Sequence, residues 1–224
     1  MKIVCYFFIF ILITPYTFSS IKLATGNNYP PFSDESLPNG GIATQLVKEI
    51  TRNMGISSIM IDFKPWKRGY QETLDHQYLA TFPYGKNSER QKKFYYSKAI
   101  FTVDSYFWVR TNSHLNKNNF FKEKLIFCVP LGYDHSIELA LFDRKKVTII
   151  QRKNPEKCLW LVEKGKADTV SLNSLLIEHY LKKNNNNTPI IKKIPYTISN
   201  YKLYLITSKI IKTESILLKN LTLN

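Results

Sequence analysis

The 224-residue chain is 44% apolar, 14% aromatic and 22% charged, which excludes wholesale disorder and supplies enough apolar surface for one large core or two small ones. Its formal charge of +15 is uneven: residues 1–109 carry 12 Lys/Arg against 8 Asp/Glu, and residues 110–224 carry 20 against 9. The basic residues come singly or in pairs (Lys145-Lys146, Lys182-Lys183, Lys192-Lys193), without an Arg-rich helix or interleaved aromatics. The excess therefore reads as a solvated basic surface rather than a nucleic-acid or polyanion site.

In chain order, Met1-Lys2 is a short positive start, and Ile3 to Phe18 is almost wholly apolar. Thr17-Phe18-Ser19 then places small residues at the −3 and −1 positions of a cut before Ser20, the layout of a secretory signal peptide over residues 1–19. The run is short for a membrane span, contains Pro15 and lacks a flanking charge cluster. Cys5 falls too early for lipid attachment. No later stretch is apolar enough to cross a bilayer, so export without stable membrane insertion is expected.

Short apolar strands then alternate with helical stretches. Residues 21–25 alternate as a strand, and a turn-rich segment follows to Gly41. Ile42, Leu46, Val47, Ile50 and Met54 recur at helical spacing up to Gly55. Residues 59–63 predict a strand, Pro65 opens a helix over 66–74, residues 78–82 predict a third strand and 102–110 a long fourth. The alternation restarts with strands at 125–129, 147–151 and 169–172, each followed by a helix, at 136–142, 155–164 and 175–182. Asn184 to Asn187 is a low-complexity connector; strands at 190–194 and 201–207 and an apolar tail with Leu217, Leu218 and Leu221 close the chain. Such alternation predicts parallel sheets with helices on their faces, and ligands outside the carboxyl ends of the strands.

Removal of the first 19 residues leaves Cys128 and Cys158, a disulfide candidate in an oxidising compartment, although two separate buried thiols fit the pattern as well. The four histidines (His76, His114, His135, His179) are dispersed, and no Cys/His spacing suggests a metal site. No cofactor is expected.

The stretch Gly26-Asn27-Asn28-Tyr29-Pro30-Pro31-Phe32-Ser33 resembles the start of family 3 extracellular solute-binding proteins, which include the polar amino-acid-binding proteins of ABC importers. Further features follow in the same order: Gly41-Ile42-Ala43, Pro65-Trp66-Lys67-Arg68, Thr81 through Arg90 with Phe94-Tyr95-Tyr96-Ser97, and Gly165-Lys166-Ala167-Asp168. Each is weak alone; the ordered set spans residues 21–208. The resemblance implies an α/β periplasmic-binding-protein-like type II clamshell. Its lobe 1 would be residues 20–109 with a C-terminal return at 198–224, its lobe 2 residues 110–197, and two crossing strands the hinge. It also implies a monomer in the periplasm that binds a small molecule and serves an ABC transporter permease or a membrane sensor.

By the same resemblance, Arg90 occupies the position that holds a ligand carboxylate, a task suited to the planar guanidinium fork. Tyr29 matches an aromatic that covers the ligand, and a core tyrosine fits equally. Trp66 suits a stacking floor or plain helix packing, and Arg68 a second cation. Tyr84 and Gly85 stand where a hydroxyl and an amide assist the carboxylate; Gly85 lacks the hydroxyl, a role left to Tyr84. Gly132-Tyr133-Asp134-His135 opens a helix whose free N–H groups serve either an anion or an Asp134 cap. The acid that grips an α-ammonium in the family falls at neutral Asn173, and another expected acid is Leu79. The ligand therefore either lacks an amino group or relies on Asp134. Competing readings are a cyclic-acid dehydratase-like enzyme, for which only Asp134 and His135 offer acid–base groups, and a basic polyanion binder. No nucleophile elbow, phosphate loop or zinc helix is present in the sequence.

Overall fold

The computed structural model describes residues 20–56, 58–183 and 190–209. The expected signal peptide, the asparagine run and the apolar tail lie outside the described residues.

The chain runs β1 (Ile21–Gly26), α1 (Ile42–Asn53), β2 (Ile59–Lys64), α2 (Trp66–Leu74), β3 (Ala80–Gly85), α3 (Ser88–Lys93), β4 (Phe94–Tyr96) and β5 (Phe101–Arg110). It continues as β6 (Leu125–Pro130), α4 (Ser136–Ala140), β7 (Val147–Arg152), α5 (Pro155–Glu163), β8 (Thr169–Asn173), α6 (Ser174–Lys183) and β9 (Ile191–Ser208). The strands form one sheet in the order β2-β1-β3-β9-β5-β8-β6-β7, with β4 paired to β9. The parallel pairing expected from strand–helix alternation holds at the two ends, β2-β1-β3 and β7-β6-β8. The middle is antiparallel. Its reason is the path of the chain: β5 leaves the first half, β9 returns to it, and the two therefore pair in opposite directions.

Three local differences from the sequence reading have physical causes. The third strand is 80–85 rather than 78–82, and all six of its residues are buried, as in a central strand covered on both faces. The two final strands are one, β9, continuous through Pro195. The ladder with β5 loses register between Tyr106 and Trp108, opposite Pro195, and such an irregularity accommodates a residue without an N–H. The helix expected over 136–142 closes after five residues at Ala140.

α1 buries Ala43, Thr44, Val47 and Thr51, while Ile42 stays exposed. The Thr44 and Thr51 hydroxyls donate to the carbonyls of Gly40 and Val47, so neither polar group is buried unpaired. The larger core joins both halves: Leu23, Phe32, Ala80 and Phe82 pack in one cluster with Cys128, Leu159, Val170 and Leu172. A second core under β5 and β6 is rich in phenylalanine, with Phe107, Phe120 and Phe127 fully buried. Cys128 on β6 and Cys158 on α5 form a disulfide, their Cα atoms 5.4 Å apart. No helix among the described residues is long and apolar enough to cross a membrane.

Candidate functional site

β1 and β3 run opposite to β6 and β8, and the two sets point their carboxyl ends at each other where β5 and β9 cross, so the segments that follow them converge on one crevice. Its volume is about 620 Å3, including the open mouth. Tyr29, Trp66, Tyr84, Gly85 and Arg90 line it from the first half, and Tyr133, Asp134 and Asn173 from the second. Eight of the nine residues singled out in the sequence thus come together. Arg68 does not: it is exposed and lies outside the lining, because α2 presents Trp66 and not its neighbour two residues on.

Arg90 sits on α3, whose first turn is capped by Asn87; the Asn87 Oδ1 accepts from the Arg90 backbone N–H at 2.7 Å. The guanidinium donates to the Gly85 carbonyl at 3.0 Å and to the Gly132 carbonyl, in the opposite half, at 3.2 Å. It also stands 5.2 Å from the Tyr84 ring centroid. Gly85 thus contributes its carbonyl here, and the Tyr84 hydroxyl is engaged with the Trp66 carbonyl at 2.7 Å. Asp134 takes bonds from both halves: Asn87 Nδ2 at 2.8 Å, Tyr201 Oη at 3.3 Å and the Ser136 backbone N–H at 3.0 Å. Burial pushes its carboxyl up, but these hydrogen bonds and the nearby Arg90 charge outweigh burial and hold it below the usual carboxylate value. Of the two readings of 132–135, Asp134 does accept the N–H of Ser136 at the start of α4, although His135 is the capping residue and its side chain makes no cap, and five-residue α4 is too short to act as an anion-binding helix.

Three rings meet across the crevice nearly at right angles. Tyr29 lies 5.8 Å from both Trp66 and Tyr133, and those two are 6.2 Å apart. Tyr29 also accepts from Asn173 Nδ2 at 3.1 Å, linking the first half to the end of β8, while Asn173 Oδ1 accepts from the Leu176 N–H. Two glycines make the approach possible. A Cβ on Gly26 would lie 2.2 Å from the Trp66 ring, and one on Gly132 (φ +89°) 2.8 Å from Trp66 Cβ.

Beneath the rings, the structure places residues that the sequence reading did not select: Glu138 on α4, Ser171 on β8 and Tyr201 on β9. The signal for Glu138 is an inversion. Ile137 is 40% exposed and Glu138 is 5% exposed, the reverse of their solvent preferences. His135, considered above only as an acid–base group, is also buried here. Burial depresses the His135 pKa from 6.5 to about 4. Burial raises that of Glu138 from 4.5 to about 6, against the Ser171 hydrogen bond. Among the described residues there is no group of three or more His, Cys, Asp or Glu able to hold a metal ion.

These two shifts act oppositely on stability. Between about 4 and 6.5 the unfolded chain binds more protons at His135, so that contribution rises with pH. Between 4.5 and about 6 the folded chain binds more at Glu138, so that contribution falls with pH. Glu138→Gln removes the falling arm. Its unfolding free energy should therefore gain about 1.3 kcal/mol relative to wild type as pH rises from 4.5 to 6, read by urea denaturation at both pH values. Parallel pH curves for the two proteins would contradict the assignment.

No family model matches the chain, and no curated protein matches it in sequence. Solved structures do match. A histidine kinase sensor domain with similarity to periplasmic binding proteins superposes with a TM-score of 0.77 at 14% identity, covering 91% of this chain and 87% of that one. The clamshell fold is that of periplasmic binding proteins. An arginine third transport system periplasmic binding protein from Legionella pneumophila gives 0.75 at 14% identity, with 91% of each chain covered. Holo ArgBP from T. maritima gives 0.72 at 20% identity, covering 90% of this chain and 87% of that one. The periplasmic-binding-protein fold assigns the halves of the sheet to two α/β lobes, β5 and β9 to the strands that cross between them, and the crevice to the gap they enclose.

Proposed function

We propose that the protein is a periplasmic solute-binding protein that closes its lobes on a small, carboxylate-bearing, amino-acid-like ligand and catalyses no reaction. The lobes are taken as residues 20–109, with the return from 198, and residues 110–197. The observation that carries the proposal is Arg90. Its guanidinium lies in the gap and reaches the Gly132 carbonyl of the second lobe, so a ligand carboxylate that replaces this carbonyl would be gripped exactly where the lobes meet. Binding then draws the lobes together, because only the closed arrangement supplies contacts from both. The disulfide and the signal-like first 19 residues support export to an oxidising compartment. The described roles of the structural neighbours support an ABC importer or a membrane sensor as partner, which the protein would serve as a monomer.

The test is thermal-shift screening of the protein against amino acids, amines, organic acids and short peptides. A ligand at a hundredfold excess over Kd stabilises the native state by about 2.7 kcal/mol. The shift should vanish in Arg90→Ala and persist in Arg68→Ala, whose side chain lies outside the crevice. A shift that survives Arg90→Ala, or turnover of the bound compound, would overturn the proposal.

A further inference from the structure

The floor of the crevice holds buried polar atoms without hydrogen-bond partners. Oε2 of Glu138, the Tyr133 hydroxyl and the ring of His135, near the Pro130 carbonyl, belong to the second lobe, and the Trp66 indole N–H joins them from the first. All four residues line the crevice. The His135 and Glu138 side chains are only 7% and 6% exposed, and His135 Nδ1 stands 4.0 Å from Glu138 Oε1, beyond hydrogen-bonding distance. From other residues Glu138 accepts one hydrogen bond, from Ser171 Oγ at 2.8 Å on Oε1. Leaving such groups buried and unpaired is costly, and folding alone gives no return for it. α4 even turns Glu138 inward and Ile137 outward to achieve it.

The chemistry of these atoms selects what fits among them. An open carboxylate oxygen asks for a donor, and a charged donor forms the stronger bond. The adjacent His135 ring, neutral above about pH 4, does not neutralise the carboxylate. The clustered aromatic rings add negative quadrupole faces that attract a cation. An anion placed there would meet Glu138 as a like charge. We propose that Glu138 and His135 form a ligand subsite in the second lobe that takes a cationic nitrogen, an ammonium or amidinium, among the rings of Tyr29, Trp66 and Tyr133. This rests on the solute-binding function proposed above and specifies its ligand: the carboxylate goes to Arg90 and the positive charge to the buried acid. It also explains how neutral Asn173 is tolerated, since the ligand nitrogen is held elsewhere.

The experiment is calorimetric titration of wild type, Glu138→Gln and Arg90→Ala with L-arginine, L-lysine, 4-aminobutyrate, agmatine and glutarate. At least one nitrogen-bearing probe should bind wild type, and Glu138→Gln should weaken it on the order of 10- to 100-fold while leaving glutarate no weaker. Agmatine, which has no carboxylate, should respond to Glu138→Gln and not to Arg90→Ala. Equal binding of the nitrogen-bearing probes to wild type and Glu138→Gln overturns the subsite, as does binding of glutarate alone. If either result comes with loss of binding in Arg90→Ala, the solute-binding function stands. Absence of binding by every probe overturns both.

A second measurement needs no variant. The other ionisable groups lining the crevice are Arg90, Asp134 and the phenols of Tyr29, Tyr84, Tyr133 and Tyr201. The Asp134 carboxyl is held low and the four phenols are pushed up by burial, so these groups keep their charge near pH 6. Glu138, with its pKa at about 6, is then the group a cation would discharge of its proton. Binding of a nitrogen-bearing probe at pH 6 should release about half a proton, measured as the difference in heat between buffers of unlike ionisation enthalpy. Zero release overturns the subsite.

Discussion

Replacing Cys128 and Cys158 together by alanine is expected to lower the unfolding free energy by about 3.6 kcal/mol. The disulfide closes a loop of sequence separation 30, and this is the chain-entropy cost for a loop of that length. Both cysteines are fully buried, in the same core cluster as Leu159 and Val170, so alanine keeps the site apolar while removing the link. The bond ties β6 to α5, two elements that meet face to face in the second lobe. For a chain of this size, the loss corresponds to a fall in Tm of roughly 7–14 °C. Wild type unfolded in dithiothreitol should approach the double variant, which separates the effect of the bond from that of the substitutions. A double variant within 1 kcal/mol of oxidised wild type would show that the cross-link adds little.

Phe107→Ala should cost about 3–5 kcal/mol, the range for emptying a buried aromatic site. Phe107 lies on β5 at 0% exposure, and four phenylalanine rings stand around it: Phe120 at 4.8 Å, Phe142 at 5.4 Å, and Phe121 and Phe127 each at 5.9 Å. Aromatic neighbours with fixed edge-to-face geometry cannot collapse freely into the space, which favours the upper part of that range. Phe121→Ala, at a partly buried position on the margin of the same cluster, should cost clearly less. Equal urea midpoints for the two variants would contradict this picture of the second core.

Much of the architecture is legible in the sequence because strand and helix periods differ and the chain alternates between them twice. Most boundaries follow from Gly and Pro positions, as at Gly55 and Pro65. What the alternation could not reveal is the middle of the sheet. The unity of β9 depends on tertiary pairing with β5, which holds the strand together through Pro195, a residue that locally reads as a break. The crevice was legible where a motif marks it, from Tyr29 through Arg90 to Asp134. Arg68 was placed by adjacency to Trp66, and helical geometry turns neighbouring residues to different sides. Glu138 was hidden for the opposite reason. An acid on a helix next to an isoleucine reads as the solvated face, and only the short α4, docked over Ser171, turns it inward.

The ladder between β5 and β9 bears on how the molecule would flex. From the pair Ser105–Ser199 to the pair Trp108–Lys193, β5 advances three residues while β9 advances six. Over the same span β5 stays in unbroken register with β8. The surplus backbone therefore lies wholly on the returning strand, as slack beside a taut cable. A swing of one lobe against the other can be taken up there while the regular pairs on either side keep their hydrogen bonds, with β5 and β8 moving together.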